Sequence, residues 1–208
     1  MPDPSLLVLF FTTSVLLALS PGPDNLFVMA QSAQHGRPAG FAVTLGLCTG
    51  LLVHTLAVSL GLAAVLQAST VAFTVLKYVG AAYLLYLAWE ALRSADRIDA
   101  GVQAPVMPLR RLYVRGIFMN ITNPKVSIFF LAFLPQFVDP ARGAVVAQIC
   151  LLGGLFILAA ILVFGSLSVL AGSLGERLRT SARAQRVIHY LAGMIFTGLA
   201  ARLILTAR

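Results

Sequence analysis

The chain has 208 residues, 59% of them hydrophobic and only 11% charged, with a net charge of +8. Soluble domains carry about 25% charged residues, so this composition excludes an ordinary soluble fold and indicates an integral membrane protein. The basic excess lies in arginines between apolar segments, where the cytoplasmic preference of positive residues explains it without nucleic acid.

Met1-Pro2-Asp3-Pro4 has no positive leader and no A-x-A-like site follows the first apolar run, so a cleaved signal peptide is not expected. Six apolar segments follow, each near the ~20 residues that cross ~30 Å of hydrocarbon. They run from Ser5 to about Ala33, Ala39 to Leu66, Val71 to Leu92, Tyr113 to Val138, Ala144 to Leu174 and Val187 to Thr206. Arg93 to Leu112, with Asp96, Asp99, Gly101, Pro105 and Pro108, reads as the one linker. It separates a first half, 1–92, from a second, 113–208, within a single transmembrane domain.

The first segment is interrupted by Ser20-Pro21-Gly22-Pro23-Asp24-Asn25. Each proline removes a backbone donor and clashes with the preceding turn, and glycine adds slack, so the helix must break. Irregular backbone at membrane depth survives only where protein or a water-filled cavity satisfies it. Asp24 sits at that break, and a charge there costs roughly 2.5 to 3.5 kcal/mol on insertion scales, which marks a functional position.

The fourth segment carries a second break, Asn120-Ile121-Thr122-Asn123-Pro124-Lys125. A shift of 101 residues lays Pro23-Asp24 on Pro124-Lys125. Three segments per half would insert the second half upside down relative to the first. Inverted repeats with broken helices in matching places point to a transporter site near the bilayer midplane. The expected fold is therefore all-α, six transmembrane helices in two inverted three-helix repeats, with the first and fourth helices broken at Pro21, Gly22, Pro23 and Pro124.

The expected substrate-binding set is Asp24, Asn25, Asn120, Asn123 and Lys125. Asp24 could hold an α-ammonium group, and Lys125 with amides at a half-helix start could hold an α-carboxylate. The repeat would bring Asp24 and Lys125 together, and a purely structural ion pair between them is the competing reading. Asp24 is also a candidate proton carrier, because burial and a nearby cation pull its protonation in opposite directions. His54, in the second segment, is a second candidate, weighed against an ordinary hydrogen-bonded core histidine.

Alternate connections hold ten arginines against two, Arg142 and Arg208, on the other side. With six crossings both termini then face away from the cytoplasm; a re-entrant first segment would put the N-terminus inside.

The first break with Gly36-Arg37-x-x-Gly40, the run Ala82-Tyr83-Leu84-Leu85-Tyr86-Leu87 with Leu92-Arg93, and Asn120-x-x-Asn123-Pro124-Lys125 with Phe129-Phe130-x-x-Phe133-Leu134-Pro135-Gln136-Phe137 form one set of motifs. Together they resemble the LysE/RhtB family of amino-acid exporters over essentially the whole chain, most closely its homoserine, threonine and leucine branch. The resemblance implies a multi-pass protein of the bacterial cytoplasmic (inner) membrane that extrudes amino acids against entry of protons, not an enzyme. Amino acid, protons and lipid are the implied partners, with no cofactor, no metal and no nucleic acid; a homo-oligomer is admitted.

Other residues carry weaker expectations. Gly46-x-x-x-Gly50 and Gly193-x-x-x-Thr197 read as helix-packing motifs. Gln31 and Gln136 could line a pore or sit near the interfaces, Tyr83 and Tyr86 could line the substrate path or meet lipid, and Lys77 could snorkel to the outer interface. Glu90 and Arg93 read as an interfacial pair, and Glu176 to Arg186 as a charged loop. Cys48 and Cys150 lie 102 residues apart, nearly the repeat offset, which admits a membrane thiol–disulfide electron carrier as an alternative. Asp24 admits a metal-cation exporter, which Lys125 disfavours by repulsion. No G-x-x-x-x-G-K-[ST] motif and no nucleophile–base pair is present.

Overall fold

The computed structural model describes residues 3–68, 70–94, 106–180 and 182–205. Helix α1 (Pro4–Leu19) starts on Asp3, whose carboxylate accepts from the Ser5 N–H at 2.9 Å and the Ser5 hydroxyl at 2.7 Å. Those two bonds hold the Asp3 carboxyl below its ordinary pKa. The helix stops before Pro21 and Pro23. Helix α2 (Pro23–His35) resumes on Pro23, where the missing N–H is harmless, and ends at Gly36 with φ of 83°, a conformation that favours glycine.

Helices α3 (Arg37–Ala68) and α4 (Thr70–Ser94) complete the first half. Helix α5 (Leu109–Ile121) ends at the second break, and α6 (Pro124–Ile128) continues as a π-helical turn over Phe129–Phe133 and a 3₁₀ turn over Leu134–Phe137. After a 3₁₀ turn at Pro140–Arg142 come α7 (Val145–Thr180) and α8 (Ala182–Leu205). No strand occurs among the described residues.

Two sequence expectations need correction. The linker is shorter at both ends than Arg93–Leu112, since α4 reaches Ser94 and α5 starts at Leu109; its centre, 95–105, lies outside the described residues. The expected charged loop at Glu176–Arg186 is helical to Thr180 and again from Ala182, because Glu, Arg, Leu and Ala are good helix formers and no glycine or proline follows Gly175 there.

Helices α3 and α7 are each long and apolar enough to cross a membrane. The α1–α2 pair, bent by 62°, and α5 with Pro124–Phe137, bent by 49°, raise the number of spans to four if each bent pair is one span. The third and sixth expected crossings correspond to α4 and α8, helices of 25 and 24 residues.

Helix α3 lies along α5, α4 along α8, and α7 along α1, α2 and α3. Gly46 and Gly116 meet face to face between α3 and α5: a Cβ at Gly46 would overlap the Tyr113 carbonyl, and one at Gly116 would sit 2.6 Å from the Val43 carbonyl. Gly50 faces the Asn120 side chain in the same seam. Gly193 packs on Leu92 and Ala88 of α4. Both small-residue motifs are thus packing surfaces.

A buried aromatic cluster joins α1, the irregular stretch after α6, and α7. Phe10 meets Phe129 and Phe137, Phe129 meets Phe133, and Phe156 meets Phe129 and Phe130, with centroids 4.9 to 5.9 Å apart.

Gly46→Val is expected to lower the melting temperature of the detergent-solubilised protein, by overpacking worth about 1–3 kcal/mol. Gly154→Ala, where nothing lies within 4 Å of the added carbon, is expected to leave it unchanged.

Candidate functional site

A helix that ends inside an apolar bundle leaves its last carbonyls without intrahelical donors. At the end of α1 the Ser20 N–H bonds the Leu16 carbonyl at 3.0 Å. The other donors come from beyond the break. Asn25 Nδ2 donates to the Ala18 carbonyl at 2.7 Å, and Lys125 Nζ donates to the carbonyls of Leu17 at 3.3 Å and Ser20 at 3.0 Å. A cation at a helix C-terminus also complements the helix dipole. Gly22 leaves room for it, since a Cβ there would lie 3.2 Å from Lys125 Nζ.

The second break returns the favour through Asn123. Its Oδ1 accepts from the Lys125 N–H at 3.0 Å, capping α6, while its Nδ2 donates to Asp24 Oδ2 at 2.9 Å. Asp24 lies in the first turn of α2, where the helix dipole favours a negative group. The two breaks, 101 residues apart in sequence, are thereby laced to each other.

Asp24, Asn120 and Lys125 line one small cavity of about 10 Å³, room for roughly one water. The sequence brings Asp24 and Lys125 together as expected, but no ion pair joins them. Lys125 is engaged by main-chain carbonyls and Asp24 by Asn123, an arrangement different from the structural ion pair that was the competing reading. At the two breaks, four buried oxygens have no hydrogen-bond partner among the described residues: Ser20 Oγ, Asp24 Oδ1, Asn25 Oδ1 and Asn120 Oδ1. Their residues are only 1% to 4% exposed, and buried polar atoms are ordinarily paired.

His54 does not line the cavity. Its Nε2 lies 3.2 Å from the Asn120 carbonyl and its ring 5.5 Å from that of Phe130, so it braces the end of α5 from α3. Gln31 is buried in α2, and Gln136 Nε2 donates to the Ala132 carbonyl at 3.3 Å. Tyr83, Tyr86 and Trp89 form an aromatic ladder with centroids 5.9 and 6.1 Å apart; Tyr86 and Trp89 are half-exposed and away from the cavity. The expected Glu90–Arg93 pair does not form: the Arg93 guanidinium lies over the Trp89 ring at 5.1 Å, a contact that keeps the chain flat against an aromatic face. Lys77 lies over Tyr78 at 5.7 Å. Cys48 is buried and Cys150 exposed, and both are free.

Sequence reasoning missed Gln148. It is buried at the start of α7, donates to the carbonyls of Asp139 at 2.8 Å and Gly143 at 3.2 Å, and accepts from the Asp139 N–H at 3.0 Å. A lone amide just inside an apolar helix was its only signal. Leu51, Phe156 and Phe164 of the cavity were missed too, because apolar residues in apolar helices carry no signal at all.

Broken helices that meet at a buried cavity bearing both charges define the molecule as a helical membrane transporter. The chain belongs to the LysE type translocator family, whose model matches residues 15–207. It is 38% identical over 162 residues, 78% of each chain, to the homoserine/homoserine lactone efflux protein of Salmonella typhi. It is 28% identical over 204 residues to the leucine efflux protein of an Enterobacter species, covering 94% of this chain and 95% of that one. A membrane protein of Vibrio cholerae is 30% identical over 190 residues, 91% of each chain. No solved structure matches. The protein is a multi-pass transporter of the bacterial inner membrane.

Asn123→Ala removes both the α6 cap and the donor to Asp24. The cap alone is worth about 0.5–2 kcal/mol, so a clear fall in the melting temperature of the solubilised protein is expected. Asn123→Ser, which can still cap but cannot reach Asp24 in the same way, is expected to fall in between.

Proposed function

We propose that the protein is a secondary exporter of neutral amino acids, driven by proton entry, with its site near the midplane where the two broken helices meet. The observation that carries this reading is the set of unused hydrogen-bonding positions around one cavity. The Lys125 ammonium has three donors and uses two on the Leu17 and Ser20 carbonyls, which leaves one for a carboxylate. Asp24 Oδ1 and Asn120 Oδ1 are free to accept from an α-ammonium. A zwitterion satisfies both ends. A bare metal cation would meet Lys125, and a bare anion would meet Asp24.

The family supports export, and the printed names of its relatives, homoserine and leucine efflux proteins, support amino acids as cargo. The packing supports two inverted three-helix repeats across six spans. The contact of α3 with α5 has its counterpart in α7 with α1 and α2, while α4 pairs with α8 and α3 with α7. Gly22 and Asn123, the two N-cap residues at the breaks, are also 101 residues apart.

Asp24 is the one buried carboxylate among the described residues, which makes it the natural proton carrier. Facing outward, it takes a proton and loses the charge that holds the substrate ammonium, so the amino acid leaves. Facing the cytoplasm, it releases the proton and binds the next ammonium. His54 acts on this step through the Asn120 carbonyl that it touches.

The test is efflux of a labelled amino-acid pool from cells that overproduce the protein. Selective, uncoupler-sensitive loss of a few neutral amino acids is expected. Asp24→Asn, which keeps a partner for Asn123, is expected to reach the membrane at normal levels and to export at background. Normal export by that variant would refute the site.

A further inference from the structure

We infer that the substrate side chain is received by an apolar wall on the two unbroken helices, α3 and α7, and that Phe156 sets the upper limit on its size. This rests on the amino-acid exporter reading above and adds what that reading leaves open, the basis of selection among amino acids.

The polar lining of the cavity comes from the broken helices alone, which also contribute Leu17, Ala18 and Val126; the unbroken helices contribute only apolar residues. Its three polar residues come from the broken helices: Asp24 from α2, Asn120 from α5 and Lys125 from α6. Every other lining residue is apolar: Leu17, Ala18, Leu51, Val126, Phe156 and Phe164. Three of these, Leu51, Phe156 and Phe164, stand on α3 and α7. A zwitterion whose ammonium and carboxylate face the broken helices therefore turns its side chain toward α3 and α7.

That wall is stiff. Phe156 is 3% exposed, and its ring lies 5.1 Å from that of Phe129 and 5.3 Å from that of Phe130. Phe129 is held in turn by Phe10 and Phe133, so Phe156 has no room to swing away. Close approach of the helices also fixes the wall spacing, because a Cβ at Gly153 of α7 would overlap Thr55 of α3.

Two consequences follow. The cavity's polar groups are taken up by the α-ammonium and α-carboxylate, so a charged side chain would be buried unpaired at high cost, and lysine and glutamate are rejected. An apolar pocket discriminates only weakly against an isostere that adds a hydroxyl, so aliphatic and hydroxyl-bearing side chains of similar size both pass. Phe156 sets the cut-off between these and an aromatic side chain.

The experiment compares the unmodified protein, Phe156→Ala and Phe156→Leu in cells loaded with equal labelled valine, leucine, phenylalanine, lysine and glutamate. The unmodified protein is expected to export valine and leucine, with lysine and glutamate at background. Phe156→Ala is expected to raise the phenylalanine-to-valine ratio by roughly tenfold or more, and Phe156→Leu by less.

Lysine leaving as fast as leucine overturns the inference. So does an unchanged ratio in membrane-inserted variants, or an equal change for every amino acid, and Phe156→Leu decides if the alanine variant fails to insert. In any of these cases the exporter reading stands, since an amino acid still leaves. Loss of no amino acid from the unmodified protein would instead remove the exporter reading and the inference with it.

Discussion

The fold depends on the ammonium of Lys125 resting on the carbonyls that end α1. A helix cannot simply stop in an apolar bundle, because each orphaned backbone group costs free energy comparable to a lost hydrogen bond. Lys125 and Asn25 meet that demand for α1, and Asn123 meets the equivalent one at the start of α6 while holding Asp24. The donors for one break are thus supplied largely by the other. Neither half can form its break alone, and this is why two segments a hundred residues apart converge on one point. The prolines explain why the helices bend; the side chains across the gap explain why they can.

The same groups that close the structure retain capacity for chemistry. An ammonium presents three donors on a compact head, so two can stay on the α1 carbonyls while a third turns toward the cavity. The carboxylate of Asp24 is likewise half-used, one oxygen on Asn123 and the other free. Binding a ligand therefore need not undo the lacing that makes the site. The cavity as it stands admits no amino acid, so occupancy requires the surrounding helices to widen around that fixed point.

How far this was legible in the sequence depends on the kind of signal. Asp24 and Lys125 stood out because charge is rare inside apolar segments, and the breaks stood out because proline and glycine are. Their partners did not, since Lys125 bonds to main-chain carbonyls, which every residue possesses. For that reason charge counting alone left a structural ion pair between the two as a competing reading, where the structure has Lys125 on carbonyls and Asp24 on Asn123. The pairing of Glu90 with Arg93 failed on a similar point: a neighbouring Trp89 offered the guanidinium a flat face that charge counting ignores. The apolar lining of the cavity was beyond reach, because Leu51, Phe156 and Phe164 look like every other residue in their helices.

The proposed repeat has a scaffold that is nearly symmetric and a charge pattern that is not. A shift of 101 residues carries Pro23 onto Pro124 but Asp24 onto Lys125. Two carboxylates at those positions would repel each other and draw a cation, and two lysines would draw an anion. Unlike charges instead give the cavity a dipole with a fixed direction across the axis that relates the halves. In the exporter reading proposed above, a neutral molecule with its own dipole, an amino acid above all, would bind in one orientation rather than two. Its side chain would then face one way, toward α3 and α7 as inferred above. A symmetric pair of broken helices supplies the place, and breaking the symmetry of charge supplies the reading of the substrate.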